Sequence, residues 1–537
     1  MTVDPWYKHA FFYEVHPRVF YDANGDGIGD LQGLIKKLDY IGSLGADCIW
    51  LLPIYPSPLK DGGYDIADYY GVHPDLGTLD DFKQLVEACH QKGLRIIADL
   101  VVNHTSDECA WFQEAESDPT SKYHNYYVWS DTPDKYADTR IIFLDTEDSN
   151  WAWSEKAGKY YWHRFYSSQP DLNYDNPDVR EEMKRIMRFW LDMGIDGFRA
   201  DAVPYLIERE GTNCENLPET HAYLKEMRLL IEEEYPGCIL LAEANQWPAD
   251  LMPYFSSGDE FHMAFNFPIM PRMFKSVALG DAASLVEIIE NIPTIPENCQ
   301  WCTFLRNHDE LTLEMVTESD RQLMWELYAP EKRMRLNQGI RRRLAPLLDG
   351  DSHKIALMVA ILFSIPGAPV IYYGDEIGMG DSIWLEDRDG VRTPMQWNET
   401  RNAGFSDAEQ EDLFLPVIDT GPYCYQKVNV KSQQSSPDSL FNRIQSLVAI
   451  RKAHRVFNSQ SFRIIVTEKP GVFSILRSNG DEAIWCFHNI SDCKQEISLK
   501  KGSYAYLHGS ACKEEFQISA GGEITLAPYG YVWLLEG

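Results

Sequence analysis

The sequence predicts an α/β fold: a closed (β/α)₈ barrel with a subdomain inserted after its third strand and an all-β sandwich at its C-terminal end. Three observations predict it. Eight short apolar runs recur along the chain, amphipathic segments separate most of them, and the pattern changes to short alternating segments from about residue 456. Buried strands that alternate with helices read as parallel β/α units, and eight of them suffice to close a barrel. An open doubly wound sheet is the alternative, but it normally has fewer units.

The runs, in order, are FFYEVHPRVF, DCIWLLP, LRIIADLVVN, GIDGFRAD, CILLAEA, EFHMAFNF, CTFLRNHD and APVIYYGDE. Segments such as LQGLIKKLDYIGSLG, LDDFKQLVEACHQKG and DVREEMKRIMRFWLDMG supply the helices between them. The aromatic, polar stretch 105–175 after the third run is too long for an ordinary loop. The predicted organisation is therefore barrel over 1–104, inserted subdomain over 105–175, barrel again over 176–455, and a β-sandwich over 456–537. Residues 355–373, IALMVAILFSIPGAPVIYY, carry no charge and approach the length of a membrane span. Ser364, Pro366, Gly367 and Pro369 interrupt the stretch, which reads instead as buried helix, turn and buried strand.

Composition excludes several classes. With 82 acidic and 49 basic residues the net charge is −33, so nucleic acid and anionic membranes are not expected partners. The 11 cysteines show no paired spacing, and the N-terminal MTVDPWYKHAFFYEV lacks the pattern of a signal peptide. Both point to reduced thiols and a cytoplasmic protein. Cys299 and Cys302 form a lone C-x-x-C with no second pair nearby, a weak metal or redox signal.

The chemistry gathers at strand ends, which a barrel brings to one rim. The third run ends with Asp99, Asn103 and His104, the fourth with Arg199 and Asp201, the fifth with Glu243, and the seventh with His308 and Asp309. Cleaving a glycosidic bond needs one carboxyl to protonate the leaving oxygen and another to attack or shield the sugar carbon. Asp201, Glu243 and Asp309 supply three carboxyls. Arg199, two residues before Asp201, faces the same side of its strand and keeps that carboxylate charged. Zinc is the competing reading, but no H-x-H or H-E-x-x-H spacing occurs. DANGDGIGDLQG, residues 22–33, resembles a calcium loop with Asp22, Asn24, Asp26, the Ile28 carbonyl and Asp30 at ligand positions. Its twelfth position is Gly33 where an EF-hand needs glutamate, so it reads as a different metal site or a polar turn.

At these residues the chain resembles the α-amylase superfamily, glycoside hydrolase family 13. DLVVNH, GFRADAVP, LLAEAN and FLRNHD are similar to its four signature regions in order and spacing. The resemblance implies Asp201 as nucleophile, Glu243 as general acid/base and Asp309 as transition-state stabiliser. It implies that His104, Arg199, His308, Asp61 and Tyr64 bind the glucosyl unit at the cleavage point. Longer stretches, among them HMAFNFPIMPRMF and MRLNQGIRRRLAPLLDGD, resemble the branch that isomerises maltose to trehalose. That implies a disaccharide substrate, pocket closure by Arg140, Asn245 and Arg392, and only minor hydrolysis. An exo-acting α-glucosidase or an isomaltulose-type isomerase is the alternative from the same superfamily, and a non-catalytic sugar-binding protein the alternative from another class. The resemblance also implies structural Ca²⁺ at Asn103, Asp171, the Tyr205 and Leu206 carbonyls and Glu208. At the 22–30 loop it implies Ca²⁺ or Mg²⁺. The sequence permits a homo-oligomer without specifying one.

Overall fold

The computed structural model describes residues 5–510, 517–518 and 522–537. Eight parallel strands close into a barrel: β1 Phe12–Val15, β2 Cys48–Leu51, β3 Arg95–Val101, β4 Gly197–Asp201, β5 Ile239–Ala242, β6 Met263–Phe265, β7 Gln300–Phe304 and β8 Ala368–Tyr372. Each overlaps one of the eight apolar runs. Every strand residue except Arg95 is buried, as expected for strands with helices outside and side chains filling the centre. Pairing of β1 with β8, with Phe12 opposite Val370, closes the ring.

The β3–β4 register matters most for the site. Asp99 lies opposite Arg199 and Val101 opposite Asp201. Because strand side chains alternate faces, Asp99, Arg199 and Asp201 all project inward. The uncharged stretch at 355–373 is the buried helix Ser352–Ser364, a turn, and then β8. Among the described residues no helix is long and apolar enough to cross a membrane.

Between β3 and β4 the chain leaves the barrel and builds the helix Ala110–Ser117 and a small antiparallel sheet in which Lys159–Trp162 pairs with both Trp129–Ser130 and Trp151–Ser154. The excursion is stitched at its base. His104 bridges to Asp171, Tyr127 bridges to Leu172, and the Leu172 N–H donates to the Asn103 carbonyl at 2.8 Å.

The C-terminal domain has a five-stranded antiparallel sheet and a two-stranded one, Gln495–Ser498 with Glu523–Leu526. Val472, Trp485, Phe487, Val532 and Leu534 of the large sheet share an apolar core with Ile497, Ile524 and Leu526 of the small one. Two buried arginines fasten this domain and the last barrel helices to the C-terminal end of helix Ser352–Ser364. Arg451 donates to the Phe363 and Gly367 carbonyls at 2.6 Å each. Arg477 donates to the Ser364 carbonyl at 2.8 Å and to the Phe457 and Ser459 carbonyls. Carbonyls at a helix end have no partner within the helix and attract cations. All ten described cysteines are free thiols, including Cys299 and Cys302.

Arg477→Leu would leave several buried carbonyls unpaired. Chemical denaturation should show a loss of about 2–4 kcal/mol in stability, with the far-UV circular dichroism of the folded protein unchanged from wild type.

Candidate active site

Arg199 is the centre of the rim. It is buried at 1% exposure, and Nη1 donates to Asp99 Oδ1 and Asp201 Oδ1, both at 2.5 Å. Its Nη2 pairs with Glu243 Oε1. Asp99 is held from its other side by the Trp50 indole N–H at 2.8 Å. Carboxyls on β3, on β4 and just past the end of β5 therefore converge on one guanidinium.

The chain turns sharply after β4. Ala202 adopts φ +54°, a left-handed conformation that costs a non-glycine residue energy. That turn aims the Ala202 N–H at Glu243 Oε2, 3.1 Å away. Glu243 and Asp201 face each other, and their mutual influence favours the proton on Glu243. Burial raises both. Asp201 moves to about 6, with Arg199 opposing the rise. Glu243 moves to about 8, because the charges of Asp201 and Asp309 add to its burial against Arg199. Near pH 7 the pair thus holds Asp201 ionised and Glu243 protonated.

Asp309 behaves in the opposite way. Burial favours its neutral form, but His308, Arg388, Arg392 and Arg199 outweigh that and hold it well below the usual carboxylate range. Arg392 reaches Asp309 Oδ1 at 3.1 Å and also donates to the His308 carbonyl at 3.0 Å. Arg392 can lie there because Gly62 has φ +56° and no side chain; a Cβ would collide with the guanidinium.

The cavity above these groups has two parts. The inner part is lined by Asp61, Tyr64, His104, Phe143, Phe165, Asp201, Glu243, Asp309 and Arg388. The outer part shares Phe143, Phe165, Glu243, Asp309 and Arg388 with it, and adds Ile142, Ala202, Tyr205, Asn245, Phe267, Thr312 and Glu314, among others. Glu243 and Asp309 thus stand where the two parts meet. The Tyr64 ring stacks on His308 with 5.3 Å between centroids, and its hydroxyl lies 2.8 Å from His308 Nε2. His308 Nδ1 rests on Glu14 at 2.6 Å, behind the cavity wall. Burial lowers His104 to about 3, so it is a neutral ring near pH 7.

The residues predicted at strand ends therefore meet in one place, together with Asp61 and Tyr64 from the loop after β2. Arg199 and His308 sit beneath the cavity, and Arg392 sits behind Asp309. Asn245 lines the outer part and donates to Thr312 Oγ1 at 3.1 Å. Arg140 does not line the cavity. Its guanidinium is spent on Glu215 and Glu314, both at 2.8 Å.

Sequence reasoning missed three groups. Arg388 pairs with Asp309 at 3.2 Å and Glu310 at 2.9 Å, reaches Asp61 at 3.5 Å, and lies 4.9 Å over the Phe143 ring. Its spacing of four residues before Arg392 was the available signal. Gln169 donates to Asp61 Oδ2 at 2.9 Å and lies 3.1 Å from His104 Nε2. Phe143 and Phe165 were hidden among the many aromatics of the insert, and nothing local distinguished Gln169.

The two metal expectations fare differently by geometry. Asn103 Oδ1, Asp171 Oδ2 and Glu208 Oε1 are buried side-chain oxygens without a hydrogen-bond partner. They come from the segment after β3, the returning end of the insert and the loop after β4. Burial pushes Asp171 up to about 8, and burial plus the nearby Asp171 charge pushes Glu208 up. Oxygens that are dry, unpaired and unwilling to ionise alone fit a hard cation. The 22–30 loop is closed by its own hydrogen bonds. Asp22 accepts from the Asn24, Gly25 and Gly27 N–H groups and from the Ser406 hydroxyl, and Asp30 accepts from Ala23 and Gly33 N–H. Asp30 also caps helix Leu31–Leu44. A Cβ at Gly33 would run into the Tyr21 carbonyl, so the loop has no room for a twelfth-position glutamate. The loop's donor set is all oxygen, but it leaves no orphaned atom. Among the described residues, no three His, Cys, Asp or Glu side chains cluster as a metal site.

The family model for the alpha-amylase catalytic domain matches residues 14–330 and 334–460. The chain belongs to the alpha-amylase family. Within that family it is 56% identical over 513 residues to the trehalose synthase/amylase of Mycolicibacterium smegmatis, covering 93% of this chain and 86% of that protein. It is 50% identical over 545 residues to the trehalose synthase of Pimelobacter sp., covering 98% of this chain and 95% of the relative. Among solved structures, the alpha-amylase from H.orenii aligns with TM-score 0.81 at 31% identity, covering 99% of this chain and 100% of that one. The trehalose-6-phosphate hydrolase of Bacillus licheniformis aligns with TM-score 0.81 at 27% identity over the same shares. The amylase-type barrel, insert and C-terminal β domain are thus family features.

Chemistry that needs Asp201 ionised and Glu243 protonated runs on a bell-shaped pH profile. The dependence of kcat/KM on pH should fall below about 6, as Asp201 gains its proton, and above about 8, as Glu243 loses its own. With a substrate carrying a good leaving group, Glu243→Gln should flatten the alkaline limb and leave the acid limb in place.

Proposed function

We propose that this chain isomerises maltose to trehalose, with minor hydrolysis to glucose. The observation that carries the reading is the 56% identity to a trehalose synthase/amylase over 93% of the chain, with all the carboxyls of the site in place. A two-part cavity supports it, since one part can hold a bound glucosyl unit while the other retains the freed glucose.

Asp201 attacks C1 of the non-reducing glucose and forms a glycosyl ester, while the C1–O4 bond breaks and O4 takes the Glu243 proton. Asp309 and Arg199 balance the positive charge that develops at C1 and the charge on the attacking carboxylate. Asp61, Tyr64, His104 and His308 grip the glucosyl ring, with Arg388 and Gln169 holding Asp61. The freed glucose turns within the outer part. Glu243, now ionised, takes the proton from the anomeric hydroxyl, whose oxygen attacks C1 and displaces Asp201. Two inversions at one carbon give α,α-trehalose. No water enters the balance, so exclusion of water separates isomerisation from hydrolysis. Arg140, Asn245 and Arg392 contribute to that closure.

The proposal includes structural Ca²⁺ held by Asn103, Asp171, Glu208 and the Tyr205 and Leu206 carbonyls, where it would join the insert to the barrel. It also includes Ca²⁺ or Mg²⁺ at Asp22, Asn24, Asp26, Ile28 and Asp30. A cytoplasmic location goes with the unpaired cysteine pattern.

Incubation with maltose, followed by chromatography of the sugars, tests the reading. Trehalose as the main product is expected; glucose alone would mark an α-glucosidase, and another disaccharide a different isomerase. Asp201→Ala should lose turnover by at least about 10⁴-fold, as removal of a covalent nucleophile does. Chelation should lower the melting temperature before it changes the product ratio. An unchanged melting curve in chelator counts against both cation sites.

A further inference from the structure

Glu215 lies between β4 and the helix Pro218–Glu234, lines neither part of the cavity, and is buried at 7% exposure. Its two oxygens are shared by three segments. Oε1 accepts from Arg140 Nε at 2.8 Å and from Arg164 Nη2 at 3.0 Å, both from the inserted subdomain. Oε2 accepts from Gln246 Nε2 at 3.2 Å, on the loop that carries Glu243. The carboxyl therefore ties the insert to the acid/base loop.

The two arginines it holds act on one wall residue. Arg164, fully buried, lies 4.7 Å over the Tyr205 ring, and Arg140 Nη2 donates to the Tyr205 hydroxyl at 3.3 Å. Arg140 also pairs with Glu314, which lines the outer cavity beside Tyr205. Burial raises the Glu215 carboxyl, but the two guanidiniums outweigh it and keep it ionised. Among the described residues Glu215 is the carboxylate that forms an ion pair with Arg164.

We propose that Glu215 is a positioning residue that holds the inserted subdomain against the acid/base loop and thereby sets how the glucosyl unit is divided between the retained sugar and water. This rests on the isomerase reading above. Glu215 touches no reacting atom. It acts through Arg140 and Arg164 on Tyr205, and through Gln246 on the loop behind Glu243. Without its charge, Arg164 is left buried and unpaired, a state that a protein relieves by admitting water. Water admitted beside Tyr205 reaches the outer cavity, where it competes with the anomeric hydroxyl for C1. A first displacement that expels a good leaving group needs little help from Glu243 and no retained sugar, so this route changes it little.

The experiment compares wild type with Glu215→Gln and Glu215→Asp. One readout is the ratio of glucose to trehalose formed from maltose. The other is the rate of p-nitrophenol release from p-nitrophenyl α-glucoside, which reports the first displacement. Glu215→Gln should raise the glucose-to-trehalose ratio by about tenfold, the scale of one lost charge-assisted hydrogen bond, with p-nitrophenol release changed less than threefold. Glu215→Asp, which keeps the charge, should restore most of the wild-type ratio. A ratio unchanged in folded Glu215→Gln overturns the proposal, as does an equal loss of both readouts. If Glu215→Gln does not fold, Gln246→Leu cuts the same tie from the side of the acid/base loop and must raise the ratio; an unchanged ratio there also overturns it. Should wild type itself form no trehalose, the isomerase reading falls. Trehalose from wild type with an unmoved ratio in the variants removes only the role of Glu215.

Discussion

One buried guanidinium organises this molecule's site. Arg199 has no water to share its charge, so it must be matched by carboxylates at hydrogen-bond distance. Asp99 and Asp201 meet that need from β3 and β4, and Glu243 from the end of β5. The match works only in one register, because a one-residue slip of a strand would turn Arg199 or Asp99 out of the barrel. Barrel closure, strand alternation and charge balance therefore constrain one another. A guanidinium is suited to this position because it stays charged when buried and presents its donors as a rigid fork.

The same centre separates the carboxyls by chemistry. Asp201 has a guanidinium Nη1 at 2.5 Å, Asp309 has Arg388 and Arg392 close by, and Glu243 shares Arg199 with two competitors while facing two negative neighbours. A protein needs no unusual residue to obtain an acid and a nucleophile from like carboxyls. It needs an uneven supply of positive charge around them. Here that supply comes from the barrel strand itself and from the loop after β8.

The insert contributes enclosure. It supplies Phe143 and Phe165 to the cavity, and it is fastened at its base by backbone bridges and at its far side by ion pairs to the barrel loops. Near its base lie the unpartnered oxygens of Asn103, Asp171 and Glu208, buried atoms from three segments. Enclosure and chemistry are thus built from different parts of the chain and joined by a few buried polar contacts.

Much of this was legible in the order of residues. The eight apolar runs set the strands, since a buried parallel strand must be apolar along its length. The spacing of Arg199 and Asp201 set their common face, since side chains alternate. The carboxyls at three strand ends set the chemistry, since a barrel brings those ends together. Tertiary structure alone decided the rest. Gly33 is required by the approach of the Tyr21 carbonyl, and Gly62 by the path of Arg392. Arg388 gains its role from Asp61, more than 300 residues away in the chain, and Glu215 gains its role from Arg140, Arg164 and Gln246. Local periodicity records which face of a strand or helix is buried, because burial repeats with the backbone. It does not record which charged side chains meet across loops, because those meetings depend on how the whole chain closes.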